Sequence, residues 1–173
     1  MNDFLSKLSS YHLFNYLVPG VVFEVLAPKI VPYSVGSHDI VTSAVLAYFL
    51  GLVVSRFGSL VVEPVLRYSK FIEFWDYTEL SIYSKIDPHL SVLYEVSNMY
   101  RTVASGFLLL LVLKAYVKLE AWCPILQKWD LTILAVLMLV MFLFAYKKQT
   151  GYMTERINAN RKTVGNAHPS AVD

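Results

Sequence analysis

Apolar residues in this chain gather in blocks of membrane length, and that grouping limits the fold more than any motif does. A helix that crosses a bilayer needs about 20 mostly apolar residues, because each residue rises about 1.5 Å through a core about 30 Å thick. Residues 131–146 form the clearest block, interrupted only by the polar Thr132. Residues 40–54 are nearly as apolar, and residues 56–63 extend them towards the headgroups. Residues 103–113 form an apolar run of eleven with only Ser105 polar, and continue as Ala115, Tyr116 and Val117 around Lys114. Residues 13–27 are broken by Asn15, Pro19, Gly20 and Glu24, so this first block also reads as a re-entrant or tilted segment. Backbone groups in lipid must be satisfied within their own segment, which makes each block a helix. The expectation is an all-α polytopic membrane protein with four transmembrane helices, at about 11–28, 40–63, 101–119 and 131–147. Together with a helical cytoplasmic loop at 67–100 these make a domain of residues 1–157, followed by a flexible basic tail at 158–173.

Composition closes off other classes. Hydrophobic residues make up 56% of the 173, charged residues only 16%, and the mean hydropathy is +0.50. Soluble domains carry about a quarter charged residues, so the figures oppose a soluble enzyme. Disorder needs low hydrophobicity and high net charge. A single Cys, Cys123, cannot pair within the chain. A net charge of +2 is too small to argue for nucleic-acid binding. The first ten residues hold Asp3 and one Lys, with no cleavage-site pattern after a short apolar core, so the first block is expected to stay as a signal anchor.

Orientation follows from Lys and Arg. With four crossings, one side holds Lys7, Arg67, Lys70, Lys85, Arg101, Lys147, Lys148, Arg156, Arg161 and Lys162, and the other only Lys29, Lys114, Lys118 and Lys128. The richer side is cytoplasmic, which places both termini in the cytoplasm of a bacterial inner-membrane protein and Cys123 outside. Trp122 and Trp129 fall in the outer connection between the third and fourth blocks, and Tyr68, Tyr100 and Tyr146 at inner ends, as interfacial rings should. Between crossings two and three, Phe74, Trp75, Tyr77 and Tyr83 alternate with charged residues and read as an amphipathic, partner-docking helix near the inner leaflet. Asp87-Pro88 reads as a helix restart, with Asp87 as its cap and Pro88 at the first helical position.

A charge near the bilayer centre costs about 3 kcal/mol or more, so intramembrane ionisable groups are functional candidates. Here they are Glu24, Arg56, Glu63 and Lys114. At 1.5 Å per residue, Arg56 lies about 24 Å below Ile40, and Lys114 about 20 Å above Arg101. Depth therefore matches Glu24 with Lys114, within one subunit or across an interface, and Arg56 with the level of His12 and Asn15. Each also has a plainer reading: Lys114 snorkels to the outer headgroups, Arg56 snorkels inward to a lipid phosphate, and Glu63 is interfacial. Pro19 and Gly20 mark a kink or hinge, since Pro removes a helix hydrogen bond and frees carbonyls near Asn15 and Tyr16 that could receive Arg56. Gly51, Ser55 and Ser59, spaced by four, present a small-residue face for close helix packing, either between copies or within the chain.

No Walker loop, GxGxxG, paired Cys or metal-ligand set is present, and His12, His38, His89 and His168 are scattered. No enzymatic chemistry and no cofactor are expected. The run Leu13-Phe14-Asn15-Tyr16-Leu17-Val18-Pro19-Gly20, the run from Gly51 to Leu60 with Ser55-Arg56-Phe57-Gly58-Ser59-Leu60, and Glu63-Pro64 resemble a family of small bacterial four-helix membrane proteins. Ser97-Asn98-Met99-Tyr100-Arg101 and Tyr146-Lys147-Lys148-Gln149-Thr150 are similar to that family too. In topology and size the chain resembles the tetraspan membrane subunits of the Kiwa anti-phage defence system. The resemblance implies a membrane-embedded homo-oligomer that senses infection at the inner membrane beside a cytosolic DNA-binding partner subunit. It carries over no catalytic residue. An oligomeric ion channel or membrane-permeabilising effector lined by Glu24 or Arg56, and a small proton-coupled transporter using Glu24, are the alternative functions.

Overall fold

Two backbone-to-backbone contacts set the first helix pair. A computed structural model describes residues 2–32, 39–73 and 77–166; for 2–14, 77–78, 81, 85, 159 and 162–166 it describes the helical backbone alone. Helix α1 (Asn2–Ile30) continues as helix through Pro19 and Pro28. Helix α2 (Ile40–Phe57) starts at Asp39, whose carboxylate accepts the Thr42 N–H at 2.8 Å and the Thr42 hydroxyl at 2.7 Å. Those two bonds hold the Asp39 carboxyl below its ordinary range, since both favour the charged form. A Cβ added to Gly20 would collide with the Ala47 carbonyl, and one added to Gly51 with the Tyr16 carbonyl. Only glycine permits this approach, which brings each Gly Cα–H against a carbonyl of the other helix.

The same pairs fix direction. Tyr16 faces Gly51, Gly20 faces Ala47, and Ser43 Oγ donates to Glu24 Oε1 at 2.6 Å. Each step of four up α1 is a step of four down α2, so the two run antiparallel and side by side. The Tyr16 and Tyr48 rings meet edge to face across the seam, 5.8 Å apart.

After Phe57 the chain makes one wide turn, a π-helical segment at Gly58–Val62, and continues as α3 (Glu63–Tyr68). Helix α3 ends with Lys70 at φ 55°, Phe71 N–H donating to the Leu66 carbonyl and Lys70 N–H to the Arg67 carbonyl. This is a Schellman termination with Lys where Gly is usual. Helix α4 (Tyr77–Ile86) follows. Asp87 Oδ1 then accepts the His89 N–H at 2.9 Å, and α5 (His89–Trp122) runs unbroken through the third apolar block. Asp87 thus accepts a first-turn N–H as expected of it, but α5 begins one residue later than expected, at His89, with Pro88 in the cap position. Helix α6 (Ile125–Asn166) completes the chain.

Helix α5 runs antiparallel to α2, with Gly106 against Val54 and Gly58 against Ser105. Helix α6 runs parallel to α2, with Phe142 stacked on Phe49 and Lys148 on Ser59, and antiparallel to α5, with Tyr116 hydroxyl donating to Asp130 at 2.8 Å. The four long helices therefore alternate in direction. Phe23, Ala27, Val31, Val54 and Leu110 make the buried centre, which belongs to α1, α2 and α5. Helix α6 lies outside it: only 6% of its apolar window is buried, against 39% for α2. Exposed Leu134, Leu137, Leu139, Leu143 and Phe144 on α6 need an apolar surrounding.

The described residues are helical apart from short turns, bends and irregular links, without strands, and three helical stretches are long and apolar enough to cross a membrane: Ile40–Tyr68, His89–Trp122 and Ile125–Asn158. The tail expected from residue 158 is helical as far as Asn166, because no Pro interrupts α6 before Pro169, and residues 167–173 lie outside the described residues.

Gly20→Val or Gly51→Val should separate α1 from α2 and cost about 3 kcal/mol, since the obstruction is backbone and cannot rotate away. Gly151→Ala, where an added Cβ meets nothing within 4 Å, should instead stabilise α6 by up to about 1 kcal/mol. Unfolding in detergent micelles checks both.

Candidate functional site

The C-terminal end of α2 and the turn after it hold the one carboxylate shared by two cations among the described residues. Its position follows from Pro64. The Glu63 N–H reaches back to the Gly58 carbonyl, five residues away instead of four. In that wide register the next donor, for the Ser59 carbonyl, would be Pro64, which has no N–H. A side chain supplies the bond: Lys148 Nζ, from α6, donates to the Ser59 carbonyl and the Ser59 Oγ, both at 2.8 Å. Its third bond goes to Glu63 Oε1 at 3.1 Å. The other carboxylate oxygen, Glu63 Oε2, accepts from the Arg101 guanidinium of α5 at 2.5 Å. One acidic side chain thus joins the end of α2 to α5 and α6.

The site is largely dry. Side-chain exposure is 11% for Glu63, 20% for Arg101 and 25% for Lys148. Gly58 lets α5 close over it, because a Cβ there would strike the Ser105 side chain. Ser105 Oγ donates back to the Arg101 carbonyl at 2.6 Å, and Thr102 Oγ1 to the Asn98 carbonyl at 2.8 Å, so the neighbouring hydroxyls are satisfied inside α5. The Tyr152 ring lies under Lys148 Nζ, 5.8 Å from its centroid, where the ring face attracts the ammonium. Arg56 faces the same corner. With Ser59, Leu60, Ala145, Lys148, Gln149 and Tyr152 it lines a recess between α2 and α6.

This geometry changes several expectations. Glu63 is buried against α5 and α6 and paired with two cations, contacts that the plainer reading did not include. Glu24 is half-buried and meets Ser43; within the chain it makes no ion pair with Lys114, whose residue is exposed. The cause is registry: Ser43 stands opposite Glu24 on α2, so a neutral hydroxyl meets the carboxylate first. Arg56 does not take the freed carbonyls of α1, since Gly51 covers Tyr16 and Arg56 turns to α6. Buried Pro19 instead faces α5 beside Gly106 and Phe107. Gly51 and Ser55 are buried within the chain, so their face packs intramolecularly, and Ser59 serves Lys148. Tyr83 is exposed; Phe74, Trp75 and the Tyr77 side chain lie outside the described residues. In the sequence Arg101 and Lys148 stand out only as topological charges. The signal that could have singled them out is Glu63-Pro64, a carboxylate followed by a missing donor, level with the cations of the third and fourth apolar blocks.

No metal-binding group of three or more His, Cys, Asp or Glu occurs among the described residues. No protein-family model, curated protein or solved structure gives a significant match to this chain.

Glu63→Gln should destabilise the chain by about 2–3 kcal/mol, because it leaves two partly buried cations without their anion. Replacing Glu63, Arg101 and Lys148 together by Met should recover most of that loss, since an apolar trio leaves no unpaired charge. Chemical unfolding of the three proteins in one detergent checks the asymmetry.

Proposed function

We propose that the chain is a non-enzymatic inner-membrane component with four crossings and both termini in the cytoplasm, which docks a soluble partner at its charged end. The observation that carries this reading is the α1–α2 seam. Helix α1 follows α2 residue for residue from Tyr16 to Glu24, so a bilayer crossed by α2 contains that stretch of α1 as well. Cations concentrate at one end of the helices, with Arg56 and Arg67 on the α2–α3 side, Arg101 on α5, and Lys147, Lys148, Arg156 and Arg161 on α6. That distribution supports a cytoplasmic placement of this end. The site itself supports a structural rather than a catalytic role. Its carboxylate is held by two cations, and Lys148 spends its hydrogen bonds as a donor to the Ser59 carbonyl, the Ser59 hydroxyl and Glu63.

The physiological role we propose is the membrane subunit of a bacterial anti-phage defence system. It rests on the resemblance in topology and size to the Kiwa membrane subunits, together with the exposed α4 region around Tyr83 that would meet a cytosolic partner. Oligomerisation is part of the same proposal, supported by the large apolar face that α6 leaves uncovered.

Topology is tested by thiol labelling in intact cells. The native Cys123 should react with a membrane-impermeant maleimide, and in a Cys123→Ser background Asp39→Cys should react whereas Ser69→Cys should not. A tag at the N-terminus should share the protected side with a tag at the C-terminus; tags on opposite sides would leave three crossings and refute the fourth. The defence role is tested by phage plating. Deleting the chain should raise plating efficiency at least tenfold, Tyr83→Ala should weaken co-purification of the soluble partner, and unchanged plating would defeat this role.

A further inference from the structure

The charges around the C-terminal end of α2 do not balance. Glu63 supplies one negative charge to Arg101 and Lys148, so the trio carries an excess of one positive charge. Arg56 adds another, and among the described residues it has no hydrogen-bond or ion-pair partner. The donors of Lys148 are committed: two go to Ser59 and one to Glu63. Arg56 therefore offers the free hydrogen bonds, and Lys148 contributes its charge. Both line the shallow, open recess between α2 and α6, where Gln149 adds an amide and Tyr152 a ring and a hydroxyl. A planar guanidinium with open donors beside a fixed ammonium suits a phosphate oxygen pair, and low surrounding dielectric strengthens the attraction.

We propose that this recess binds a phosphate group, with Arg56 as its bidentate ligand and Lys148, pinned by Ser59 and Glu63, as the fixed charge behind it. Leu60 and Ala145 give the recess an apolar wall, and the exposed face of α6 continues from it, so an acyl chain could lie along α6 while its headgroup phosphate meets Arg56. A phospholipid headgroup and free phosphate share the chemistry. This inference rests on the membrane reading given above for the position of the recess at headgroup depth.

The test is native mass spectrometry of the full chain in detergent, titrated separately with phosphatidylglycerol, phosphatidylcholine and inorganic phosphate. The wild type should retain a phosphate-bearing species, and Arg56→Gln should weaken it about tenfold or more, as expected for losing charge-assisted bonds to one guanidinium. Arg56→Lys should fall between the two, and Lys147→Gln, an exposed neighbour outside the recess, should match the wild type. Retention of lipid assigns the source to the bilayer, and retention of inorganic phosphate alone assigns it to a soluble ligand; both support the site. No retention in any arm, or equal retention by Arg56→Gln that elutes as a folded protein, overturns it. Membrane fractionation of the same cells separates the two readings: a chain that stays in the membrane pellet but holds no phosphate species overturns the site alone.

Discussion

One carboxylate between two cations is the interaction on which the arrangement of α2, α5 and α6 depends. Helix α6 contributes little to the buried centre, and its firmest polar attachment to α2 is Lys148 on Ser59 and Glu63. A buried ion pair is a weak source of net stability compared with well-packed apolar groups, but a large penalty follows when one member is removed. The trio therefore serves registry more than strength. It fixes which turn of α5 and which turn of α6 stand beside the wide turn after α2, because any slip strands a charge.

That wide turn originates in a single missing hydrogen. Pro64 cannot donate, so the regular ladder cannot pass through it unchanged, and the helix accommodates it by a five-residue step. The step frees the Ser59 carbonyl and rotates Glu63 inward. A residue type usually described by what it breaks here creates both an acceptor and the placement of the acid beside it. At the opposite end of the seam the logic is reversed. Gly20 and Gly51 remove side chains so that two intact helices can touch through their backbones.

The helices were legible in the sequence because membrane-length apolar blocks allow no other backbone, and the restart at Asp87-Pro88 was legible because Asp-Pro has few uses inside a helix. Gly20, Gly51 and Glu63 were also marked as unusual. The partners were not legible. Depth arithmetic places residues along the membrane normal but says nothing about rotation about each helix axis, and rotation decides whether Glu24 meets Ser43 or Lys114. A π turn adds about one residue to a single turn, which shifts every later side chain by about 100°. Arg101 and Lys148 were hidden for a different reason: cations at the inner ends of crossings are common enough as topological signals that two with a buried counter-charge do not stand apart.

Helix α5 is a single piece from His89 to Trp122, without Pro or a break along its length. At 1.5 Å per residue it is a rod about 50 Å long, and the bond from Arg101 to Glu63 meets it roughly 18 Å from its N-terminal end. The tie divides the rod into unequal arms, the longer reaching about 32 Å to the C-terminal end. The short arm is where α4 packs, and the long arm carries Leu110 into the buried centre and the Tyr116 hydroxyl to Asp130 of α6, so the tie divides the part of α5 that meets α4 from the part that builds the core.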